Sequence, residues 1–376
     1  MGTRRTERLR ELGQSVWLDI IRRGQLISGE FERAVREDGV VGVTSNPTIF
    51  QLAISESNDY DAAIQQGIAS GLDGAQLFES LAVEDIRLAC DRLRPTFEET
   101  GGLDGRVSLE VNPHLSQDTA GTVAEARRLA GEVDRENLMI KVPATAEGLP
   151  AIATLTAEGM SINITLIFSL ARYEQVMEAY LTGLERRVAA GGDLRRIRSV
   201  ASFFVSRVDT KVDAAIEQAL PRATGADHDR LAGSRGKAAI ANARLAYARF
   251  REVFASPRFT KLAAHGATLQ RPLWASTSTK NKAYRDVLYV EELIGPDTVN
   301  TMPPQTLAAF NDHGTVEVRI DRDLDQAHEL FATLPKLGIP VETLIAQLEP
   351  EGVATFTKSY DSLLEALATK RREMVA

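Results

Sequence analysis

The residue with the clearest chemical potential is Lys141, which interrupts the apolar run Leu138-Met139-Ile140-Lys141-Val142. Apolar and β-branched residues bounded by Asn137 and Pro143 indicate a buried strand. Burial removes water from the ammonium group and favours the neutral amine. A neutral lysine amine can attack a carbonyl and form a Schiff base. A structural role, in which the stem packs in the strand and the head reaches solvent or pairs with a carboxylate, stays open.

Four more polar residues interrupt apolar strands near their ends, and these are Asp19, Glu110, Asn163 and Thr165. Imine chemistry loses and regains a water molecule, so it needs positioned acids and bases. The two carboxylates, Asp19 and Glu110, are the candidates for these proton transfers. Alternatively, they only neutralise Lys141, and tight pairing would then favour its charged form and suppress the nucleophile.

Three other strand ends carry polar residues that could bind a ligand. Asn46 precedes Pro47, which is equally typical of a helix N-cap. The stretch from Ser202 to Arg207 brings a guanidinium to one strand end, and Ser276 to Lys282 forms a loop rich in hydroxyls and lysines. In (β/α)8 barrels, phosphate is often held near the loops that follow the seventh and eighth strands. The sequence therefore predicts a phosphate pocket from Arg207, Ser276 and Lys280.

Apolar runs that alternate with amphipathic helices must position these residues. The predicted strands are Ser15–Ile20, Val40–Ser45, Val107–Asn112, Leu138–Val142, Ser161–Ile167, Val200–Val205, Pro272–Ser276 and Thr298–Met302. Many intervals between their polar landmarks are near the ~30 residues of one βα unit. Near-continuous apolar strands, each followed by a helix, predict an α/β protein with a (β/α)8 TIM barrel. An open doubly wound sheet is the alternative.

The chain is expected to form a single domain over 1–376, because no linker rich in Gly, Ser or Pro divides it. Two intervals are about double length and predict helical insertions, about 51–100 and about 208–268. Extra C-terminal helices, about 305–376, are expected to pack on the barrel. Helix N-caps are predicted at Ser28, Ser116 and Ser169, with Gly39 as one helix stop.

The composition argues against several classes of function. A formal net charge of −8 without a basic cluster argues against nucleic-acid binding. No long apolar run or secretory signal is seen, and the single cysteine, Cys90, permits no internal disulfide, so a cytoplasmic protein without membrane contact is expected. Five scattered histidines lack ligand spacing, and no nucleotide-binding fingerprint occurs, so we expect neither a metal nor a cofactor.

Several of these segments together resemble the transaldolase family of Schiff-base transferases, most closely its longer bacterial form. The resemblance covers about Ser15 to Pro304 and the helical tail. The matching motifs are Thr44-Ser45-Asn46-Pro47-Thr48, Ser108-Leu109-Glu110-Val111, Ile140-Lys141-Val142-Pro143-Ala144-Thr145, Asn163-Ile164-Thr165-Leu166-Ile167-Phe168-Ser169 and Val200-Ala201-Ser202-Phe203-Phe204-Val205-Ser206-Arg207.

The resemblance implies a barrel that moves a three-carbon dihydroxyacetone unit from sedoheptulose 7-phosphate or fructose 6-phosphate to an aldose phosphate. It implies that Lys141 forms the imine, that Glu110 and Thr165 activate a water, and that Asp19 moves the sugar-hydroxyl proton when the C–C bond breaks. The implied sugar-binding residues are Asn46, Asn163, Ser202 and Phe204, and the implied phosphate-binding residues are Arg207, Ser276 and Lys280.

This sequence departs from the family pattern at the phosphate end. Ser206 stands where many members have glycine, and the loop Ser278-Thr279-Lys280-Asn281-Lys282 lacks the usual glycine and proline.

Two alternative functions stay open. One is an imine-forming sugar-phosphate lyase that releases free dihydroxyacetone, and the other is a catalytically silent barrel that acts as a binding subunit. The sequence does not decide between a monomer and a homodimer.

Overall fold

A closed barrel of parallel strands forms the centre of the molecule, in the order β1-β2-β3-β4-β5-β6-β7-β8. The computed structural model describes residues 4–375. Its strands are β1 Gln14–Leu18, β2 Gly42–Thr44, β3 Arg106–Glu110, β4 Leu138–Pro143, β5 Ile162–Ile167, β6 Ser199–Phe204, β7 Gln270–Ala275 and β8 Thr298–Met302. The predicted (β/α)8 barrel is confirmed, and closure between β8 and β1 excludes the open sheet.

Helices surround the barrel, and each strand is followed by at least one of them. Their bounds are α1 Arg5–Glu11, α2 Arg23–Ser28, α3 Glu30–Glu37, α4 Pro47–Ser55, α5 Asp61–Ala69, α6 Gly74–Glu99, α7 Thr119–Val133, α8 Gly148–Ala157, α9 Leu170–Ala189, α10 Ser206–Ala219, α11 Gly225–Ser234, α12 Ala238–Phe254, α13 Pro257–Ala264, α14 Leu288–Glu292, α15 Pro304–His313, α16 Leu324–Thr333, α17 Val341–Ala346 and α18 Leu348–Val375. Short 3-10 turns cover Pro113–Leu115, Leu220–Arg222 and Leu334–Leu337. Among residues 4–375, no helix is long and apolar enough to cross a membrane.

The long C-terminal helix α18 packs chiefly on α4, which follows β2, and also contacts β5. The Thr48 hydroxyl on α4 donates a hydrogen bond to the Ser359 hydroxyl over 2.8 Å. Farther along α18, Lys370 Nζ lies 3.0 Å from Asp61 Oδ1 on α5. These contacts hold the helix across the C-terminal ends of strands β2 to β5, where several of the predicted catalytic and substrate-binding residues lie.

Two of the predicted helix starts are wrong. Ser28 is the last residue of α2, because Gly29, with φ of 83°, ends that short helix and α3 begins directly after it. Ser116 ends the 3-10 turn that Pro113 begins, so the cap of α7 falls on Asp118, whose carboxylate accepts from Gly121 N over 2.9 Å. The prediction for Ser169 is confirmed, because its Oγ accepts from Arg172 N over 3.1 Å.

A buried ion pair closes the opposite, N-terminal end of the barrel. Arg271 Nη2 lies 2.9 Å from Asp104 Oδ1, and both side chains are buried. Ser15 Oγ donates to the other oxygen of Asp104 over 2.7 Å. Both oxygens of this buried carboxylate therefore have partners, which offsets its loss of hydration.

Candidate active site

Lys141 lies on β4 at the C-terminal end of the barrel, with 5% of its side chain exposed. Its Nζ donates a hydrogen bond to the Ser45 carbonyl oxygen over 3.1 Å. Glu110 Oε2 lies 3.1 Å from the same nitrogen, outside good hydrogen-bonding geometry. The phenyl ring of Phe356, on α18, has its centroid 5.7 Å from Nζ. The amine is thus enclosed by a carbonyl, a carboxylate and an aromatic ring.

Glu110, at the end of β3, is as deeply enclosed as Lys141, with 4% of its side chain exposed. Burial raises the pKa of the Glu110 carboxyl above its ordinary value, and the Lys141 charge acts against that rise. On β5, Thr165 Oγ1 is fully buried and has no hydrogen-bond partner among residues 4–375, and Glu110 Oε2 also lacks one. Two such buried groups, on the strands β3 and β5 that flank β4, fit a site that binds a water or a substrate hydroxyl.

Asp19 follows β1, and its Oδ1 accepts a hydrogen bond from Thr44 Oγ1 over 3.0 Å. Burial raises the pKa of Asp19, and the Lys141 charge and the Thr44 hydrogen bond act against the rise. The charges of Lys280 and Arg207 act on the pKa of Asp19 in the same lowering direction. Three cations, on β4, at the start of α10 and in the loop after β7, are therefore close enough to this carboxylate to influence its protonation.

A chain of hydrogen bonds joins three strands across the barrel interior. Ser202 Oγ on β6 donates to Asn163 Oδ1 on β5 over 2.7 Å. Asn163 Nδ2 in turn donates to Ser108 Oγ on β3 over 3.0 Å. All three side chains are buried. The Ser108 and Ser202 contacts therefore fix which way the amide of Asn163 faces.

These groups can perform covalent carbonyl chemistry. A buried amine can attack a carbonyl, Glu110 lies close enough to exchange a proton with it, and Asp19 supplies a second carboxylate. No group of three or more His, Cys, Asp or Glu side chains within residues 4–375 is arranged to hold a metal ion.

The comparisons with known proteins agree with this chemistry. Residues 16–367 match the family described as Transaldolase/Fructose-6-phosphate aldolase. The chain belongs to the transaldolase family. It is 50% identical to the protein named Transaldolase from Thermobifida fusca, over 96% of this chain and 97% of that protein. It is 46% identical to Transaldolase 2 from Nostoc punctiforme, over 98% of both chains.

Of the two basic residues that the family resemblance assigns to phosphate, Arg207 lies in the more enclosed position. It is half-buried at the start of α10, with its Cζ 5.3 Å from the centroid of the Phe204 ring. Burial lowers the pKa of Arg207, and the Asp19 carboxylate acts against this. Within the described chain Arg207 has no ion-pair partner, so its guanidinium donors are available to an anion.

Ser276 and Lys280 lie in the loop after β7. Ser276, whose φ is 57°, has its Oγ 2.9 Å from Ser206 Oγ. The serine that stands where many family members have glycine therefore contacts a predicted phosphate ligand. Lys280 is exposed, and its Nζ donates to Ser278 Oγ over 2.7 Å. Arg207 is therefore more enclosed than Lys280.

Asn46 caps α4, because its Oδ1 accepts a hydrogen bond from Ile49 N over 2.9 Å. The helix-start interpretation of the Asn46-Pro47 pair is confirmed. This role uses only the amide oxygen, so the Nδ2 group can still donate to a ligand.

Sequence reasoning missed three contributors to the site. The Ser45 carbonyl contacts Lys141, and Thr44 contacts Asp19, although both belong to a segment that was recognised as a motif. A backbone acceptor leaves no mark in residue type, which explains the first omission. Phe356 lies in the helical tail, where its apolar character indicated only a packed helix. No local signal connects that tail to β4.

Proposed function

We propose that this protein is a transaldolase that transfers a dihydroxyacetone unit from a ketose phosphate to an aldose phosphate through an imine on Lys141. The observation that carries the proposal is the position of the Lys141 amine, buried and 3.1 Å from Glu110 Oε2. The family match over residues 16–367 supports it. Sedoheptulose 7-phosphate and fructose 6-phosphate are the proposed donors, and glyceraldehyde 3-phosphate and erythrose 4-phosphate are the proposed acceptors.

Imine formation begins when a proton leaves Lys141. The raised pKa of Glu110 suits it to accept this proton, and the neutral amine then attacks the C2 carbonyl of the ketose. The carbinolamine loses its hydroxyl as water, to which Glu110 returns the proton. Thr165 Oγ1, which has no partner among the described residues, is proposed to hold this water.

Cleavage of the C3–C4 bond requires removal of the proton on the C4 hydroxyl, and we assign this step to Asp19. The electron pair of the broken bond is taken up by the iminium as an enamine, and the first aldose departs. An acceptor aldehyde then reacts with the enamine carbon, and Asp19 returns the proton to the new alkoxide. Water hydrolyses the resulting imine and restores the Lys141 amine.

Substrate binding is assigned to residues around this centre. Asn46, Asn163, Ser202 and Phe204 are proposed to line the sugar, and Arg207, Ser276 and Lys280 to bind its phosphate. The half-buried Arg207 without an ion-pair partner in residues 4–375 supports the phosphate assignment. We further propose that the enzyme acts in the cytoplasm as a monomer or homodimer, and that 1–376 is a single barrel domain with helical insertions.

The alternative activity is a lyase that releases free dihydroxyacetone, and the family description names a fructose-6-phosphate aldolase beside transaldolase. A coupled assay with fructose 6-phosphate, with and without erythrose 4-phosphate, distinguishes the two. A transaldolase turns over only when the acceptor is present. Equal turnover without the acceptor would establish the lyase, and no turnover in either assay would support a silent barrel.

A further inference from the structure

We propose that Phe356, on the C-terminal helix α18, seals the Lys141 chamber and keeps the covalent three-carbon intermediate from being lost to water. This inference rests on the proposed function. Phe356 is 3% exposed, and its ring centroid lies 5.7 Å from Lys141 Nζ. A buried aromatic ring thus covers the atom on which the intermediate forms.

The chemistry explains why such a cover matters. After the first aldose leaves, the enamine on Lys141 must wait for an acceptor. Loss of the unit requires a proton on the enamine carbon, addition of one water to the iminium carbon, and cleavage of the C–N bond to release dihydroxyacetone and the lysine amine. An apolar ring over the nitrogen excludes stray water from this carbon. Its π face also favours the cationic iminium electrostatically.

Helix α18 packs directly against β5, and Gly352 permits this approach. A Cβ atom at Gly352 would lie 2.9 Å from Leu166 Cδ2 and 3.4 Å from Phe168 Cε2. Leu166 itself has φ of 60°, at the register shift where β5 leaves its regular pairing with β6. The bulged strand end and the glycine together let the helix lie against Leu166 and Phe168, one turn before Phe356.

Contacts along α18 fix the direction of the ring. Near its start, Arg172 Nε on α9 lies 2.8 Å from Glu349 Oε2. One turn past Phe356, Asn112 Nδ2 donates to Tyr360 Oη over 3.4 Å, and Thr48 bonds the neighbouring Ser359. Because partners from α9, α4 and the β3 end hold both sides of Phe356, the ring is a fixed wall of the chamber.

The experiment measures two rates with fructose 6-phosphate as the donor: release of free dihydroxyacetone without an acceptor, and transfer to erythrose 4-phosphate. Phe356→Ala removes the ring, and Phe356→Leu keeps an apolar side chain without the π face. The matched control is Phe331→Leu, the same substitution on the remote helix α16. We expect the ratio of release to transfer to rise by about tenfold or more in Phe356→Ala and by less in Phe356→Leu.

The control should keep the ratio of the unsubstituted protein. Gly352→Ala provides a second route, because the added Cβ would lie 2.9 Å from Leu166 Cδ2 and crowd the contact between α18 and β5 without altering the ring. It should also raise the ratio. An unchanged ratio in folded Phe356→Ala would overturn the proposal. If Phe356→Ala does not fold, an unchanged ratio in Phe356→Leu and Gly352→Ala, with both proteins folded by circular dichroism, would overturn it. If the unsubstituted protein itself released dihydroxyacetone as fast as it transferred it, the proposed transaldolase function would fail instead.

Discussion

Glu110 and Lys141 occupy directly paired positions on the neighbouring strands β3 and β4, with the carboxylate oxygen 3.1 Å from the amine. Parallel pairing places the two side chains on the same inner face of the barrel. The carboxyl group can therefore take a proton from the amine without any movement of the backbone. This strand register, set by the apolar pattern on either side, is what brings the carboxylate and the amine together.

Substitutions of the two carboxylates, Asp19 and Glu110, should impair different steps of the reaction. Asp19→Ala should still form a borohydride-trapped adduct with a three-carbon ketone, yet its ketose cleavage should fall by roughly 10²–10⁴-fold, because the lost proton transfer is needed only at cleavage. Glu110→Gln should slow adduct formation itself. Single-turnover trapping and steady-state turnover measure these effects. If Asp19→Ala and Glu110→Gln each lost adduct trapping and turnover in the same proportion, the assignment of the two carboxylates to different steps would be refuted.

The phosphate residues should not be equivalent. Arg207 presents a planar pair of donors, whereas Lys280 is an exposed point charge already bonded to Ser278. A charge-assisted hydrogen bond contributes about 1.5–3 kcal/mol, so Arg207→Ala should raise KM for phosphorylated substrates by about tenfold or more. Lys280→Ala should raise this KM by a smaller factor.

Arg207→Lys is the matched variant for this comparison, because it keeps the charge and loses the planar geometry. It should retain only part of the affinity. Activity on unphosphorylated sugars should hardly change in any of these variants. Equal impairment of both substrate types in Arg207→Ala would mean that the residue supports the barrel mouth rather than phosphate.

Asp209 on α10 should make stability depend on pH. Burial raises its pKa to about 7, although Tyr289 Oη donates to it over 2.8 Å and Ala239 N over 2.7 Å. The folded protein therefore binds a proton that the unfolded chain, with an Asp pKa near ~3.9, has released between these values. The stabilising contribution is complete below the unfolded pKa and is lost as pH rises through about 7.

The free energy of unfolding in urea, measured from about pH 4 to 8, should therefore carry a downward slope of up to about 1.4 kcal/mol per unit from this group. Asp209→Asn should flatten that part of the curve. The exposed Asp227→Asn on α11 is the control and should leave the curve unchanged. An unaltered slope in Asp209→Asn would show that other groups carry the dependence.

Catalysis is expected to proceed without a metal ion. Exhaustive dialysis against EDTA, followed by the coupled transfer assay, should leave turnover unchanged, since the amine and carboxylates supply all the proton transfers in the proposed mechanism. Loss of turnover that a divalent ion restores would contradict this expectation.

Much of the barrel was predictable because parallel strands buried on both faces read as short apolar runs. Every predicted strand overlaps an observed one and differs from it by at most two residues at either end. The polar interruptions at Asp19, Glu110 and Lys141 were visible for the same reason, since each contrasts with an apolar strand.

Contacts that depend on tertiary packing could not be predicted in this way. The position of Phe356 over Lys141 depends on how α18 crosses the barrel, and its local sequence indicates only an amphipathic helix. The N-cap of α7 is Asp118 and not the predicted Ser116, because Pro113 begins a short turn that residue preferences alone do not reveal. Such details are decided by backbone geometry rather than by residue type.

Imine formation on Lys141 can be tested by borohydride reduction in the presence of fructose 6-phosphate, followed by intact-protein and peptide mass spectrometry. We expect one reduced dihydroxyacetone adduct, located on the peptide that contains Lys141. Lys141→Met should abolish it, and the matched Lys280→Met should retain it. The absence of any adduct, or an adduct that persists in Lys141→Met, would show that Lys141 does not form the imine.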